Sequence, residues 1–471
     1  MRQNTNPAAS ITTADDDGFD AAAAAADIHA SLADGARETA LAALLQRLPA
    51  ADIADAVDRL SDAEAMQVLE RLGDAMQPQV IAYLPLLRQA RLAAAMPREM
   101  VIQLLEHMSP DERADLFNAL PEGREALLPA MAQAKREDIR RLASYPEGSV
   151  GSIMNSQYAS LSPEFSAAEA IEELRRIAPD RETIYNAYVT DTERRLIGVT
   201  SLRRLILAAP QTRVGELMDA GAIMVRVDDD REAAATRIAR YDLIALPVVD
   251  HEQRLVGIVT ADDALDVLEE KATEDFHKSG GSLGGVWPER MKNASVRLLY
   301  RKRVFWLVLL VFANVFSGAG IAYFEELIAA NVALVFFLPL LIDSGGNAGS
   351  QSSTLMVRAL ATGDVHLRDW AGMLGRELAV ATLLGLTMAF AVSLVGLLRG
   401  GPAIALVVAL TMVMVVIIGS MIGMSLPFLL SRFRGDPASA SSPLITTIAD
   451  ASGILIYFFV ASRLLPPPGT G

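Results

Sequence analysis

Cysteine is absent from this chain of 471 residues. The absence excludes disulfide bonds, zinc sites with cysteine ligands, iron–sulfur clusters and thiol catalysis. Histidine is also scarce: the five histidines, at positions 29, 107, 251, 277 and 366, are scattered and lie outside the long apolar segments. The sequence therefore offers no histidine-based proton relay at membrane depth.

Basic residues are outnumbered by acidic ones, and the net charge is -15. The imbalance is confined to one part of the chain. Residues 297–471 hold 11 Lys and Arg against 8 Asp and Glu, so of the total of 42 basic and 57 acidic residues the first 296 positions hold 31 and 49. An acidic soluble part repels phosphate, which excludes nucleic acid as a partner, whereas it attracts cations.

Several common motifs are missing as well. The sequence contains no P-loop, no dinucleotide-binding glycine fingerprint and no His-Glu-x-x-His, so neither ATP-driven pumping nor metalloprotease chemistry is indicated, and we expect no enzyme. Residues 1–26 are polar and rich in alanine, with acidic residues where a secretory signal would have an apolar core. We predict a disordered tail over 1–26.

Long apolar segments are plentiful in the last third of the chain. The mean hydropathy is +0.29, and 52% of the residues are hydrophobic. The segments cover residues 304–324, 327–342, 378–398, 402–430 and 444–462. Because a membrane span needs about 20 apolar residues, we predict a domain of five transmembrane helices over 301–465.

The orientation of these helices follows from the basic residues near their ends. The residues on one side are Arg301, Lys302, Arg303, Arg358, Arg368, Arg432 and Arg434, and the loops on the other side carry only Arg399 and Arg463. We therefore predict a multi-pass protein of the inner (plasma) membrane, with a cytoplasmic N-terminus and the C-terminus outside.

A short repeat marks the beginning of the soluble part. Apolar residues recur at intervals of 12, namely Leu48, Leu60, Leu72, Leu84, Met96, Met108 and Leu120. Proline, serine or glycine usually follows, so each unit is predicted to be a short helix that ends at a breaker. Such helices cannot bury an apolar edge alone and must stack. We predict an all-α superhelical N domain over 27–145.

A second repeat lies over 152–260. The run that begins at Val189 and ends at Val199 returns 59 residues later, and each copy consists of two strands joined by a turn that contains aspartate. This arrangement resembles a tandem pair of α/β CBS domains. In nucleotide-binding members of that family a Thr/Ser-x-x-Asp motif meets the ribose. The second copy has Thr260 and Asp263, whereas the first has Arg204 in place of the aspartate. Two interpretations are therefore open: the CBS pair binds an adenine nucleotide, or it binds no nucleotide.

An acidic helix is predicted next, within a connecting segment over 261–300. Its carboxylates Asp263, Asp266, Glu270 and Glu274 fall within about 80° of one another, and Asp275 follows. Like charges at this spacing destabilise a helix, so a basic surface or bound divalent cations should face them. An acidic solvated helix is the alternative.

Ionisable groups also occur inside the apolar segments, where they usually mark a permeation path. Asp343 opens a glycine-rich stretch that includes Asn347, and Asp450 lies in the last segment beside Thr446 and Thr447. We predict that Asp343, Asn347, Thr446 and Thr447 line a pore and that Asp450 binds a metal ion there. The alternatives are a helix end at the interface for Asp343 and a structural carboxylate for Asp450.

Taken together, these motifs resemble the MgtE family of magnesium channels and transporters. The resemblance rests on 339–352, on Arg358-Ala-Leu-Ala-Thr-Gly-Asp364 and on 436–450, and it covers about residues 40–465. It implies a homodimer whose pore, lined by the second and fifth helices, holds Mg²⁺ at Asp450 of both subunits. It also implies that cytoplasmic Mg²⁺ bridges the N domain, the CBS domains and the acidic helix to close the gate.

One position departs from the expected family pattern: Lys271 stands where we expect Glu. In the N domain, Asp111 and Asp115 are candidate ligands only. The regulatory ligands predicted on the acidic helix are Asp263, Asp266, Glu270, Glu274 and Asp275, with Thr260 and Asp263 as the candidate nucleotide site.

The resulting hypothesis is a multidomain membrane protein that imports Mg²⁺ down its electrochemical gradient and closes when Mg²⁺ binds its cytoplasmic domains. Mg²⁺ is both transported and regulatory, ATP is a candidate ligand, and a second copy and membrane lipid are the expected partners. Two alternatives are open, a sodium-coupled magnesium exchanger and an adenine-nucleotide sensor that is only anchored in the membrane.

Overall fold

The structure is a computed structural model that describes residues 20–33, 38–120, 124–282 and 294–465. The chain divides into two compact units, Met1–Leu268 and Glu269–Gly471. The first unit contains a helical region followed by two small sheets. The second contains the long apolar helices.

The helical region confirms the predicted superhelical repeat. Its described helices are α1 (Ala21–Ala33), α2 (Glu38–Arg47), α3 (Ala50–Val57), α4 (Asp62–Leu69), α5 (Met76–Ala82), α6 (Leu86–Ala95), α7 (Arg98–His107), α8 (Pro110–Ala119) and α9 (Gln133–Leu142). Most of the short helices begin directly after a repeated breaker, such as Pro49, Ser61, Pro85 or Pro97. Proline fits a helix start because the first amides of a helix have no intrahelical acceptor.

The repeated apolar positions form the centre of the helical core. Leu60, Leu84, Met96, Met108 and Leu120 are buried in one continuous cluster, and the two remaining repeat positions are partly buried against it. Each of these residues follows a short helix, so its side chain turns inward where the chain reverses. The 12-residue period is therefore the period of helix stacking.

The start of this region differs from the predicted disordered tail. Helix α1 begins at Ala21, and Ala21, Ala25 and Ile28 are buried. Alanine has the highest helix propensity, and the helix packs against α3, which accounts for order in this part of the tail. Residues 1–19 lie outside the described residues.

Two sheets of three strands follow. The strands are β1 (Ser160–Leu161), β2 (Asn186–Thr190) and β3 (Leu196–Ser201) in the first, and β4 (Val225–Arg226), β5 (Ala245–Val249) and β6 (Leu255–Thr260) in the second. The helices of this region are α10 (Ala167–Ile177), α11 (Leu202–Leu207), α12 (Val214–Leu217), α13 (Arg231–Tyr241) and α14 (Ala261–Ser279). In both sheets the first two strands are parallel and the last two antiparallel. This topology confirms the tandem repeat.

Each sheet is completed by a segment from the other repeat. The Sδ atom of Met154 lies 2.8 Å from the position that a Cβ of Gly257 would take, and Met218 stands in the same relation to Gly198. The backbone of Asn155 pairs with Ile258 in both directions, at 2.7 and 2.9 Å. Glycine is required at these two points because any side chain would displace the methionine that packs there.

The second unit contains α15 (Val296–Tyr323), α16 (Glu325–Ala330), α17 (Ala333–Ala361), α18 (Trp370–Arg432) and α19 (Ser442–Leu464). Among the described residues, four helical segments are long and apolar enough to cross a membrane. The predicted third and fourth spans are merged in the single element α18, so the count of five spans stays a prediction.

Helix α18 contains a break at Gly401, whose φ of 76° lies outside the helical region. A straight helix of 63 residues would be about 95 Å long, three times the thickness of a bilayer core. Instead the chain reverses at the break: a Cβ at Gly396 would lie 2.7 Å from the Cα of Ala405, and one at Gly385 would lie 3.0 Å from the Cα of Val413. The element is thus two antiparallel helices.

The second of these helices crosses α17 at very short range. Gly345 and Gly349 on α17 face Gly419 and Gly423 on α18, and a Cβ at Gly349 would lie 2.7 Å from the carbonyl oxygen of Gly419. Paired glycines four residues apart let two helix backbones approach closely, which is the usual way for helices to associate in lipid. Helix α19 packs against both.

Candidate functional site

A cavity lies between α17 and α19 in the second unit, with a volume of about 370 Å³. Its lining residues are Pro339, Ile342, Asp343, Gly346, Thr446 and Asp450. The cavity thus brings together the two carboxylates that the sequence placed in separate apolar segments, 107 positions apart. No lysine or arginine is among these lining residues.

Asp450 lies on α19, two turns after the start of the helix, and is half-buried. Its carboxylate can approach α17 because the facing residue is Gly346. A Cβ at that glycine would lie only 3.3 Å from Oδ1 of Asp450 and 3.2 Å from the methyl group of Thr446. The glycine therefore provides the space into which the carboxylate projects.

Asp343 is exposed on α17, one turn before Asn347. The Asn347 amide donates a hydrogen bond of 2.9 Å to Oδ2 of Asp343. This bond fixes one carboxylate oxygen and leaves the carboxylate charge in place. Asn347 itself orients Asp343 and does not line the cavity.

The two threonines differ in their position. Thr446 lines the cavity, but its hydroxyl donates to the carbonyl of Pro443 at 3.0 Å. Thr447 is only 9% exposed, donates to the same carbonyl at 2.8 Å and is not among the lining residues. The two hydroxyls thus donate hydrogen bonds to a carbonyl in the first turn of α19. The carboxylates are the charged groups of the cavity. Such a site attracts cations.

A second acidic cluster lies in the first unit, between α8 and the CBS sheets. Asn155 is 1% exposed and donates from one amide nitrogen to Oδ1 of Asp111, at 3.1 Å, and to Oε2 of Glu182, at 2.9 Å. The Thr260 hydroxyl donates to Oδ2 of Asp263. A helix of the N domain, both CBS repeats and the start of α14 therefore contribute to this cluster.

Crowding changes the acidity of these carboxyl groups. Burial, together with the charge of Asp111, raises the pKa of Asp263 to about 8 and that of Asp115 to about 7. Burial also raises the pKa values of Asp111 and Glu182, with smaller contributions from neighbouring carboxylates. Carboxylates that share a dry space retain protons unless a cation neutralises them.

The acidic helix α14 confirms the predicted helical stripe, but its carboxylates differ in surroundings. Asp266 and Glu270 are exposed. Glu274 accepts from Lys278 at 2.8 Å and lies 3.7 Å from Lys271. Asp275 lies 3.5 Å from Lys271. Among the described residues, the positive groups paired with this end of the stripe include Lys271 and Lys278 of the helix itself.

Within the described ranges, no three His, Cys, Asp or Glu side chains meet in the arrangement of a ready-made metal site. Loosely spaced carboxylates suit Mg²⁺, which keeps several of its waters. The sequence reasoning missed Asn155, Glu182, Lys278 and Asp436. The only available signal was the position of Asn155 near the start of the predicted repeat over 152–260.

The architecture is that of a multi-pass membrane transport protein with a CBS pair. Family models for a divalent cation transporter, for the MgtE intracellular N domain and for CBS domains match residues 338–460, 48–148, and 150–210 with 214–270. The chain belongs to the MgtE family of magnesium transporters, which is a family of transporters and not of enzymes.

Several relatives support this assignment. A magnesium transporter MgtE of Thermus thermophilus is 41% identical over 79% of this chain and 88% of its own length. A magnesium transporter MgtE of Bacillus subtilis is 33% identical over 72% of this chain and 74% of its own length. A solved cytosolic domain of the Mg²⁺ channel MgtE, in complex with ATP, shares 37% identity at a TM-score of 0.50 and covers 52% of this chain and 99% of that one.

Proposed function

We propose that this protein is a passive Mg²⁺ channel that imports the ion and is closed by cytoplasmic Mg²⁺. The observation that carries the proposal is the cavity at membrane depth in which Asp343 and Asp450 meet without a basic residue among the lining groups. A carboxylate in an apolar segment is costly unless a cation passes or binds there.

The energetics suit import without ATP. A potential that is negative inside is worth about 2.3 kcal/mol per charge for each 100 mV, hence about 4.6 kcal/mol for a divalent ion. Mg²⁺ gives up its water reluctantly, so carboxylates that hold the hydrated ion select charge without stripping the shell. Two copies of Asp450, one per subunit of a homodimer, would provide such a site on the twofold axis. In this proposal the N-terminus lies on the cytoplasmic side, where the domains that sense Mg²⁺ are placed.

For the gate we propose that Mg²⁺ binds the cluster of Asp111, Asp115, Glu182 and Asp263 and the exposed stripe residues Asp266 and Glu270. Mutual repulsion of these groups is removed when the ion is bound. Glu274 and Asp275 take a smaller part than the sequence suggested, because lysines already lie beside them.

Substitution of Asp450 by Asn tests the pore. In proteoliposomes with a Mg²⁺-sensitive dye inside, we expect Asp450→Asn to reduce Mg²⁺ entry at least tenfold, because the amide keeps the shape and loses the charge. Asp369→Asn is the control, since Asp369 is a half-exposed carboxylate outside the apolar segments. Unchanged, Mg²⁺-selective entry in Asp450→Asn would contradict the proposal.

The sodium-coupled exchanger is the competing transport mechanism. It predicts that Mg²⁺ entry stops when sodium is removed from both sides of the same vesicles, whereas a channel conducts without sodium. A membrane-anchored nucleotide sensor predicts no Mg²⁺ entry under either condition.

A further inference from the structure

The end of α14 is joined to the loop before α19 by an ion-pair network within the second unit. Lys278 donates to Oδ2 of Asp436 at 2.6 Å and pairs with Glu274 at 2.8 Å. The ammonium of Lys271 lies 3.5 Å from Asp275 and 3.9 Å from Asp436. Among the described residues, the two lysines face the carboxylates of Glu274, Asp275 and Asp436.

The network is ordered rather than a chance surface contact. The side chain of Lys278 is 18% exposed and that of Asp436 27%, so water and salt screen the pair less than a fully exposed one. Both oxygens of Asp436 are in use, since Oδ1 accepts from the backbone amide of Ala438 at 2.9 Å. Burial opposes ionisation of Asp436, but the hydrogen bond from Lys278 lowers its pKa overall.

The same junction contains a close apolar contact. After α14 the chain turns at Gly281, which has a φ of 76°, and a Cβ there would lie 3.0 Å from Cγ of Pro443. Pro443 is in the first turn of α19, and its carbonyl accepts the hydroxyls of Thr446 and Thr447. Asp450 follows two turns later. A displacement of α14 therefore acts directly on the start of the helix that carries Asp450.

We propose that Lys271 and Lys278 form a built-in latch, a pair of protein-borne cations that holds α14 to Asp436 and thereby positions the start of α19 without a bound metal ion. The inference rests on the proposed function. A junction made only of carboxylates would fall apart at low Mg²⁺, whereas this one keeps its counter-charges at every Mg²⁺ concentration. Lys278 also lies in the last turn of α14, where a cation is favoured by the helix dipole.

The latch makes a prediction for gating. Because the two lysines supply part of the attraction that closes the channel at every Mg²⁺ concentration, less Mg²⁺ is needed to close it. We expect Lys271→Gln with Lys278→Gln to raise the internal Mg²⁺ concentration that halves the flux by about threefold to tenfold, the range expected for the loss of partly exposed ion pairs. Lys278→Arg keeps the charge and should leave that concentration unchanged.

A second measurement tests the latch without relying on transport. Hydrogen exchange of the full chain in lipid nanodiscs with EDTA should show wild-type protection of the last two turns of α14. The double glutamine variant should lose that protection in EDTA and regain it when Mg²⁺ is added. Lys278→Glu should lose it as well, and the combination of Lys278→Glu with Asp436→Lys should restore it.

The outcomes separate the two proposals. If the wild type loses protection in EDTA, or if the charge exchange restores nothing, the latch is wrong whatever the flux. If the protection pattern is as expected but vesicles show no Mg²⁺ entry, the transport proposal fails and the latch stands as a structural contact.

Discussion

At the residue scale, carboxylates of the same type are kept in three different states by their surroundings. Asp450 faces a cavity with no basic residue among its lining groups. Burial, together with the neighbouring acid Asp111, raises the pKa of Asp263 to about 8. Asp436 is held ionised by Lys278. Under the proposed function these states correspond to a site for a passing ion, a site that exchanges protons for ions, and a permanent ion pair.

The proton-retaining site leads to a prediction for stability against pH. In residues 20–282 the folded state holds protons on Asp263 and Asp115 at pH values where the unfolded chain has lost them, because the pKa values rise from 3.8 to about 8 and about 7. Without Mg²⁺ the melting temperature should therefore fall as the pH rises through the interval from about 4 to about 8, by about 2–4 °C per pH unit and retained proton.

Thermal unfolding of this fragment in EDTA is the measurement. Mg²⁺ should raise the melting temperature more at pH 8 than at pH 6, since protons compete with the ion. In Asp263→Asn, both the fall of the melting temperature with pH and the pH dependence of the Mg²⁺ effect should become smaller. A melting temperature that increases with pH over this interval would contradict the assigned proton retention.

At the scale of elements, the close crossing of α17 and α18 sets the geometry of the cavity. Gly345 and Gly349 face Gly419 and Gly423, and α19 packs on the same pair of helices. Because the backbones are in contact, the position of Gly346, and with it the space for Asp450, is fixed by glycines that do not line the cavity.

We expect Gly423→Ala to destabilise the membrane domain. A Cβ at Gly423 would overlap the carbonyl oxygen of Gly349, and a backbone atom cannot move aside as a side chain can, so the cost should be about 1–3 kcal/mol. The temperature at which the detergent-solubilised protein leaves the monodisperse size-exclusion peak should fall by several degrees. Mg²⁺ entry should fall with it.

Gly318→Ala is the matched control for this prediction. Gly318 is also in a long apolar helix, but a Cβ there would have no neighbour within 4 Å, and alanine is the better helix former. The temperature at which the Gly318→Ala protein leaves the monodisperse size-exclusion peak should be equal to or slightly above that of the wild type. Equal stability of the two variants would mean that the helices do not cross at Gly423.

At the scale of the whole molecule, two related halves of the CBS pair have diverged in chemistry while keeping one geometry. In the second, Thr260 bonds to Asp263. In the first, the equivalent arginine, Arg204, donates to the carbonyl of Leu217 at 2.7 Å. Only the second therefore offers a carboxylate to a ribose, and we propose that it binds adenine nucleotide.

Titration calorimetry of the full chain with ATP should then give about one site per chain. Asp263→Ala should weaken the affinity at least tenfold, because the carboxylate that would accept from the ribose is lost. Arg204→Gln, the equivalent position in the first repeat, should leave it unchanged. Two equal sites per chain, or full affinity in Asp263→Ala, would contradict this assignment.

The sequence predicted those features that depend on residues close together in the chain. The 12-residue period, the two CBS copies, the acidic helix and the apolar segments all follow from local periodicity. The pairing of Lys278 with Asp436 joins positions 158 apart, and the bonds of Asn155 join three parts of the fold, so no local pattern predicts them. The break that separates the two predicted spans within α18 depends on a single backbone angle at Gly401.

The exchange of Met154 and Met218 between the two CBS sheets has a consequence for biosynthesis. Gly257 receives Met154 from far upstream, and Gly198 receives Met218 from beyond its own sheet. While the chain leaves the ribosome, the first sheet lacks its cover until residue 218 has emerged, and the segment at 154 waits until 257. Neither copy is thus a complete folding unit, and the contact of Met154 with Gly257, which spans about a hundred residues, forms slowly. Translation has to reach residue 218 before the first sheet is closed and residue 257 before the second is, by which time the first apolar helix follows within about forty residues.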